Sequence, residues 1–83
     1  MEKKLVGLYV PAVQERFDLL VPTDLDIASL TVLLTNGVEE LCGGRYSSSH
    51  QELLSLRQPD MLLHPRLTLG DYGVENGAQM VLM

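Results

Sequence analysis

The sequence has little cysteine and few basic residues, and each shortage excludes classes of protein. Cys42 is the only cysteine among 83 residues. The chain therefore forms no internal disulfide and suits a reducing compartment. Six basic residues are scattered among eleven acidic ones, giving a net charge of −5. Because nucleic acids and anionic membranes are normally bound by a basic patch, we expect neither as a partner.

Long apolar runs are also missing. No segment approaches the roughly 20 apolar residues that a helix needs to span a bilayer. The apolar start of the chain follows Glu2, stops at Pro11 and has no small-residue cleavage site behind it, unlike a signal peptide. We predict a first strand over Lys3–Val10 instead. A chain this short builds a single core, so we expect one domain, residues 1–83. We expect this domain in the cytoplasm, which is a reducing compartment.

Alternating apolar residues predict a second strand over 16–22. Phe17, Leu19 and Val21 recur at every second position, which is typical of a half-buried strand. Its connection to the first strand is short, so the two strands are expected to form a hairpin. In this register Leu20 points away from the core.

A helix is predicted to follow, with Asp26 as its N-cap. The apolar residues after it step by three and four and form one stripe: Ile27, Leu30, Leu34, Val38 and Leu41. Gly37 interrupts the stripe, and two endings are open. The helix ends there in a left-handed conformation, or it continues at a cost of about 1 kcal/mol to Gly43 and Gly44. The continuing stripe favours the longer helix.

The second half of the chain predicts a polar loop and three short strands. The loop is 45–51, and Pro59 with Asp60 forms a turn. The strands are 52–57, with Leu54 and Leu56 on one side, then 61–63 and 79–83. A hairpin, one amphipathic helix and three further strands indicate an α+β fold.

Two features of this sequence resemble ubiquitin. The segment Thr68-Leu-Gly-Asp-Tyr-Gly-Val74 is similar to the Thr-Leu-Ser-Asp-Tyr-Asn-Ile turn before ubiquitin's last strand. The ten-residue step from Phe17 to Ile27 matches the spacing between ubiquitin's second strand and its helix. The resemblance implies a ubiquitin-like β-grasp fold, in which a mixed sheet packs on one helix.

A closer resemblance is to the bacterial ubiquitin-like YukD and EsaB family, which is associated with type VII secretion. It rests on Phe17-Asp-Leu-Leu-Val-Pro22, Ile27-Ala-Ser-Leu30 and Asp71-Tyr-Gly-Val-Glu-Asn-Gly77. A related domain begins the membrane subunit EccD. The resemblance implies an accessory or regulatory binding protein of the secretion machinery. Its partners would be the membrane-anchored ATPase or other membrane subunits, which would recruit it to the inner face of the membrane.

No motif indicates catalysis, a cofactor or a metal, and we expect a protein that is not an enzyme. His50 and His64 stand fourteen residues apart, without metal-ligand spacing, so solvated or capping roles are expected. Cys42 has no neighbouring histidine to activate it and is expected to be a buried or half-buried structural thiol. Gly43 and Gly44 lack the lysine and spacing of a phosphate loop, which favours a helix stop.

The closing turn contains residues for which structural roles are expected. Gly73 and Gly77 are predicted to adopt positive φ. Tyr72 is a candidate recognition residue. The resemblance to ubiquitin instead favours a ring packed over the turn with its hydroxyl bonded to backbone.

The outward side of the sheet is the candidate partner-binding surface. If Met80 and Leu82 point inward, Val81 and Met83 point outward beside Ser55 and Arg57. The predicted contact residues are Leu20, Arg57, Val81 and Met83, with Leu5 and Met61 as possible extensions. By the resemblance, Arg57 stands where ubiquitin has its partner-binding isoleucine, so binding to ubiquitin receptors is not expected.

Two alternatives stay open. A covalent modifier or sulfur carrier needs a flexible tail ending in Gly-Gly. This sequence ends Met80-Val-Leu-Met83 and its only Gly-Gly is internal, which disfavours that function. The second alternative is that the chain is a ubiquitin-like domain separated from a larger EccD-like membrane protein.

Overall fold

Five strands and one helix follow one another in the predicted order. The computed structural model describes residues 2–47, 51–57 and 60–83. His50 and Pro59, and with them parts of the predicted loop and turn, lie outside the described residues. The elements are β1 (Lys3–Val10), β2 (Glu15–Pro22), α1 (Ile27–Cys42), β3 (Leu54–Leu56), β4 (Met61–Leu62) and β5 (Ala78–Leu82).

The strands form one mixed sheet in the order β2-β1-β5-β3-β4. β1 pairs antiparallel with β2 and parallel with β5. β3 pairs antiparallel with both β5 and β4. The predicted hairpin is confirmed, and the first and last strands of the chain lie side by side in the middle of the sheet. The fold is therefore α+β, as the element order predicts.

The core lies between α1 and one face of the sheet. From β1, Val6, Leu8 and Val10 are buried almost completely. Met80 and Leu82 of β5 are buried beside them, as the alternation predicts. Burial of each such side chain contributes about 1.5–3 kcal/mol. Other large, fully buried side chains come from β2, α1, β3 and the closing turn: Val21, Leu30, Val38, Leu54 and Leu69.

Phe17 and Leu19 face the core as predicted but are only half-buried. They lie on β2, which is an edge strand of the sheet and has a neighbour on one side only. Leu20 points the other way and is 66% exposed, which confirms the predicted register.

The helix begins at the predicted N-cap. Asp26 has extended backbone angles, and its Oδ2 accepts a hydrogen bond from the Ser29 N–H at 3.0 Å. Its Oδ1 accepts from the Ser29 hydroxyl, also at 3.0 Å. These bonds satisfy one donor of the first turn and hold the pKa of the Asp26 carboxyl below its usual range.

The helix runs through Gly37 to Cys42, so the longer prediction is confirmed. Gly43 ends it with φ 57° and ψ 38°, in the left-handed region. The predicted stripe is wrong at its last member, because Leu41 is exposed and Cys42 is buried instead. From Leu30 onward the buried apolar residues step by four, and each such step turns about 40° beyond a full rotation. The buried face therefore rotates around the helix until it passes Leu41.

Backbone hydrogen bonds connect the segment 67–77 to the start of the helix at one end and to β1 at the other. The Ile27 N–H donates to the Leu67 carbonyl at 2.7 Å, and the Gly70 N–H donates to the Thr23 carbonyl at 2.9 Å. Further along, the Gly77 N–H donates to the Leu5 carbonyl at 2.7 Å. Gly77 and Gly73 both have positive φ, of 91° and 67°, as predicted.

Two glycines of the helix region provide a matched pair of opposite predictions. A Cβ added at Gly37 meets nothing within 4 Å, so Gly37→Ala should raise the free energy of unfolding by about 0.5–1 kcal/mol. Gly43→Ala places a Cβ on a left-handed residue and should lower it by about 1 kcal/mol. Urea unfolding of the two variants measures both. Equal effects of the same sign would contradict this assignment of the helix end.

The N-cap also predicts a pH dependence. A carboxyl whose pKa is lowered by folding contributes stability above its unfolded value of 3.8, and the contribution is lost as pH falls through the lower, folded value. Asp26→Asn keeps an oxygen that caps the helix but does not titrate. Below about pH 4, the free energy of unfolding of the wild type should fall more steeply than that of Asp26→Asn. Parallel curves in urea unfolding between neutral and acidic pH would refute the proposed linkage.

Candidate functional site

The outward face of the sheet consists of rows of side chains set by the strand register. One row follows directly from the observed pairs: Arg16 opposite Tyr9, Tyr9 opposite Val81, Val81 opposite Ser55, and Ser55 opposite Leu62. Side chains in directly opposite positions lie about 4.5–5.5 Å apart at Cβ and share one face. The middle of the outward face therefore carries a mainly apolar row from Tyr9 to Leu62.

A shallow depression lies along this row. Its lining includes three of the four predicted contact residues, Arg57, Val81 and Met83. The other lining residues are Tyr9 and Pro11 of the first hairpin, Ser55, Leu56 and Asp60. We call these lining residues the outer depression. Its described lining combines partly exposed apolar surface with one cation, Arg57, and one carboxylate, Asp60, a composition suited to contact with another protein.

The fourth predicted residue, Leu20, lies elsewhere. It is opposite Leu5 at the far end of the β1–β2 pair. Leu5 stands four residues from Tyr9, about 13 Å along the strand. Between them lies Gly7, which pairs with Gln79. The Gln79 side chain covers Gly7, because a Cβ built on Gly7 would come within 2.6 Å of its amide oxygen. The structure thus brings together Arg57, Val81 and Met83 and separates Leu20 from them.

The prediction that Met61 extends the outward contact surface is wrong. Met61 pairs with Leu56, on the core-facing side of the sheet, whereas Leu62 pairs with outward-facing Ser55. A strand of two residues carries too little alternation to reveal its register, which its partner β3 sets. Tyr9 was also missed, although its position between inward-facing Leu8 and Val10 was a sufficient signal.

Other candidate residues have structural partners. The Tyr72 hydroxyl accepts a hydrogen bond from the His64 N–H at 2.8 Å while its ring packs against the core, which confirms the expected backbone bond. His64 Nδ1 accepts from the Arg66 N–H at 3.1 Å, in the capping role expected of an exposed histidine. Cys42 is a buried, free thiol, as predicted.

Three displaced pKa values also trace to structural contacts. Besides the Asp26 N-cap, Arg45 makes an ion pair with Glu15, which raises the pKa of the guanidinium. Burial and a hydrogen bond to Glu52 raise the pKa of Tyr46. Within residues 2–47, 51–57 and 60–83, no three His, Cys, Asp or Glu side chains cluster in a way that could hold a metal ion. In the same ranges, no helix is both long enough and apolar enough to cross a membrane.

Solved structures with this architecture cover the whole chain. The ubiquitin-like domain of the Mycobacterium tuberculosis type VII secretion system protein EccD1 superimposes with a TM-score of 0.75 at 15% identity, covering 100% of this chain and 99% of that one. The EccD5 ubiquitin-like domain from Mycobacterium xenopi gives 0.76 at 15% identity, with coverages of 100% and 94%. The fold is ubiquitin-like.

The same fold extends to other kingdoms. A ubiquitin-like domain of an Arabidopsis thaliana protein superimposes with a TM-score of 0.70 at 17% identity, covering 100% of this chain and 78% of that one. Likeness at such low identity establishes the fold alone. No protein-family model and no curated protein matches the sequence, so membership of the YukD and EsaB family stays a prediction.

Proposed function

We propose that this ubiquitin-like chain is a non-catalytic binding module, acting as an accessory or regulatory component of a bacterial type VII secretion system. It works in the cytoplasm and contacts protein subunits of the machinery, such as the membrane-anchored ATPase or other membrane subunits. The observation that carries the proposal is the outer depression, a partly exposed, mainly apolar surface on a sheet whose other face is covered by the core.

Two further observations support this function. The structural neighbours named above include ubiquitin-like domains of type VII secretion proteins, and the sequence carries motifs that resemble the YukD and EsaB family. A contiguous apolar surface beside Arg57 also fits a protein partner better than a nucleic acid, given the net charge of −5.

The outer depression is tested by making it polar without disturbing the core. Val81→Thr keeps a β-branched side chain in the strand, and Met83→Ser removes an exposed apolar side chain. In native cells, the tagged wild type should co-purify a secretion subunit. The double variant should recover about tenfold less of that subunit, because a hydroxyl replaces a methyl group at position 81 and the side chain at position 83 is shortened, so the interface loses apolar contact area.

Leu41→Ser is the control, because Leu41 is exposed on the helix, away from the outer depression. Leu20→Ser tests in parallel whether the separate corner at Leu5 and Leu20 takes part. Recovery of no secretion subunit by the wild type, together with unchanged secretion in a deletion strain, would rule out the secretion function. If the double variant recovers as much of the secretion subunit as the wild type does, the contact surface is not the outer depression.

The EccD neighbours favour one second candidate, in which the chain serves as the ubiquitin-like domain of a larger EccD-like membrane protein. The coding sequence downstream of Met83 distinguishes it from a separate accessory protein. Intact-mass measurement on cell extracts addresses conjugation, since protein adducts or a thiocarboxylate would instead establish a modifier or sulfur carrier.

A further inference from the structure

A second apolar surface lies between α1 and β3. It is a groove of about 380 Å³, open along one side, and we call it the helix–strand groove. Its deepest lining residues are the core side chains Ile27, Leu54 and Leu63. The part of its lining that the structure describes shares no residue with the outer depression, although Leu53 exchanges two backbone hydrogen bonds with Met83. Substitutions on α1 therefore test this groove separately.

Exposed apolar side chains form the walls of this groove. Val32 of the helix is 60% exposed, and Leu53, which precedes β3, is 56% exposed. Ala28 and Pro65 lie at one end, where the Ala28 N–H donates to the Pro65 carbonyl at 3.0 Å. A continuous apolar surface of this kind, reaching from the core to solvent, is a typical protein-interaction site.

The opposite end of the groove is acidic. Glu39 and Glu52 line it, and the described lining includes no lysine, arginine or histidine. Glu52 is held in position by the buried Tyr46, whose hydroxyl donates to its Oε2 at 2.7 Å. Burial raises the pKa of Tyr46, and the charges of Glu52 and Glu39 add to that rise.

These carboxylates can receive a cation in addition to their contacts within the chain. An ionised carboxylate offers about four acceptor positions, so an internal donor and an incoming ammonium group can be bound together. The net charge of −5 also favours the approach of a basic partner. Charge complementarity therefore places the basic end of a ligand at Glu39 and Glu52.

The dimensions limit the ligand further. From Ala28 to Glu39 the helix rises about 17 Å, which is the length of about five extended residues. The volume lies at the small end of ligand sites, enough for a few aliphatic side chains and too little to enclose a helix of about 10–12 Å diameter.

We propose that the helix–strand groove binds a short extended segment of another protein, with aliphatic side chains on Ile27, Leu54 and Leu63 and a lysine or arginine at Glu39 and Glu52. This surface is additional to the outer depression, and it allows the chain to hold two protein segments at once. The proposal is independent of the secretion function, because it specifies the ligand by chemistry alone.

The experiment is a titration of the ¹⁵N-labelled full chain with synthetic peptides, followed by amide chemical shifts. One peptide has three consecutive valine or leucine residues next to two lysines, and a second has the reversed order. In one analogue glutamates replace the lysines, and in another serines replace the aliphatic residues. We expect one lysine peptide to bind saturably and to shift amides of α1 and of residues 52–54, whereas neither analogue binds.

Two variants and a matched control complete the test. Val32→Gln should weaken binding about fivefold through lost apolar contact. Glu39→Gln should weaken it about threefold and reduce its salt dependence. Leu41→Gln should leave it unchanged, because Leu41 is 59% exposed on the same helix but does not line the groove.

Several results would overturn the proposal. The first is that neither lysine peptide binds saturably. The second is that the glutamate analogue binds as tightly as the lysine peptide. The third is that Leu41→Gln weakens peptide binding as much as Val32→Gln does. Shifts confined to Tyr9, Val81 and their neighbours would assign the peptide to the outer depression instead. That outcome would leave the outer-face function standing, so the two proposals fail separately.

Discussion

The parallel pairing of β1 with β5 is the constraint on which the rest of this structure depends. Parallel strands need a long crossover between them, and here the crossover includes the helix, β3, β4 and the closing turn. The pairing starts where Asn76 Oδ1 accepts from the Leu5 N–H at 2.8 Å across 71 residues of sequence. The adjacent Gly77 N–H donates to the Leu5 carbonyl, and its positive φ allows the turn.

This central pair defines both faces of the sheet. Because side chains alternate along a strand, the register that buries Leu8 beside Met80 also exposes Tyr9 beside Val81. The core and the outer depression are therefore two consequences of one register. A slip by one residue would exchange them, so the candidate binding surface is as strictly determined as the core.

Sequence patterns predicted the regular parts of the molecule and failed where tertiary geometry intervened. The N-cap at Asp26 and the alternation in β5 follow from local chemistry, and both are confirmed. The helix ends at Gly43, the later of the two endings that the sequence left open and the one that the continuing apolar stripe favours. The exposure of Leu41 was not predictable, since it depends on how the helix crosses the sheet beneath it. Likewise, Met61 lies on the core-facing side of the sheet and Leu62 on the outward side, because β3 sets the register of a strand too short to specify its own.

The candidate sites show the same division. By itself the sequence determined the α+β fold class, the buried side of β2 and the outward direction of Val81 and Met83. These follow from periodicity within single elements. Only the tertiary structure decided that Arg57 joins them while Leu20 does not, and that a groove with two carboxylates opens between α1 and β3. The physical reason is that surfaces are assembled across strands and helices, so their members are set by register and packing between distant segments.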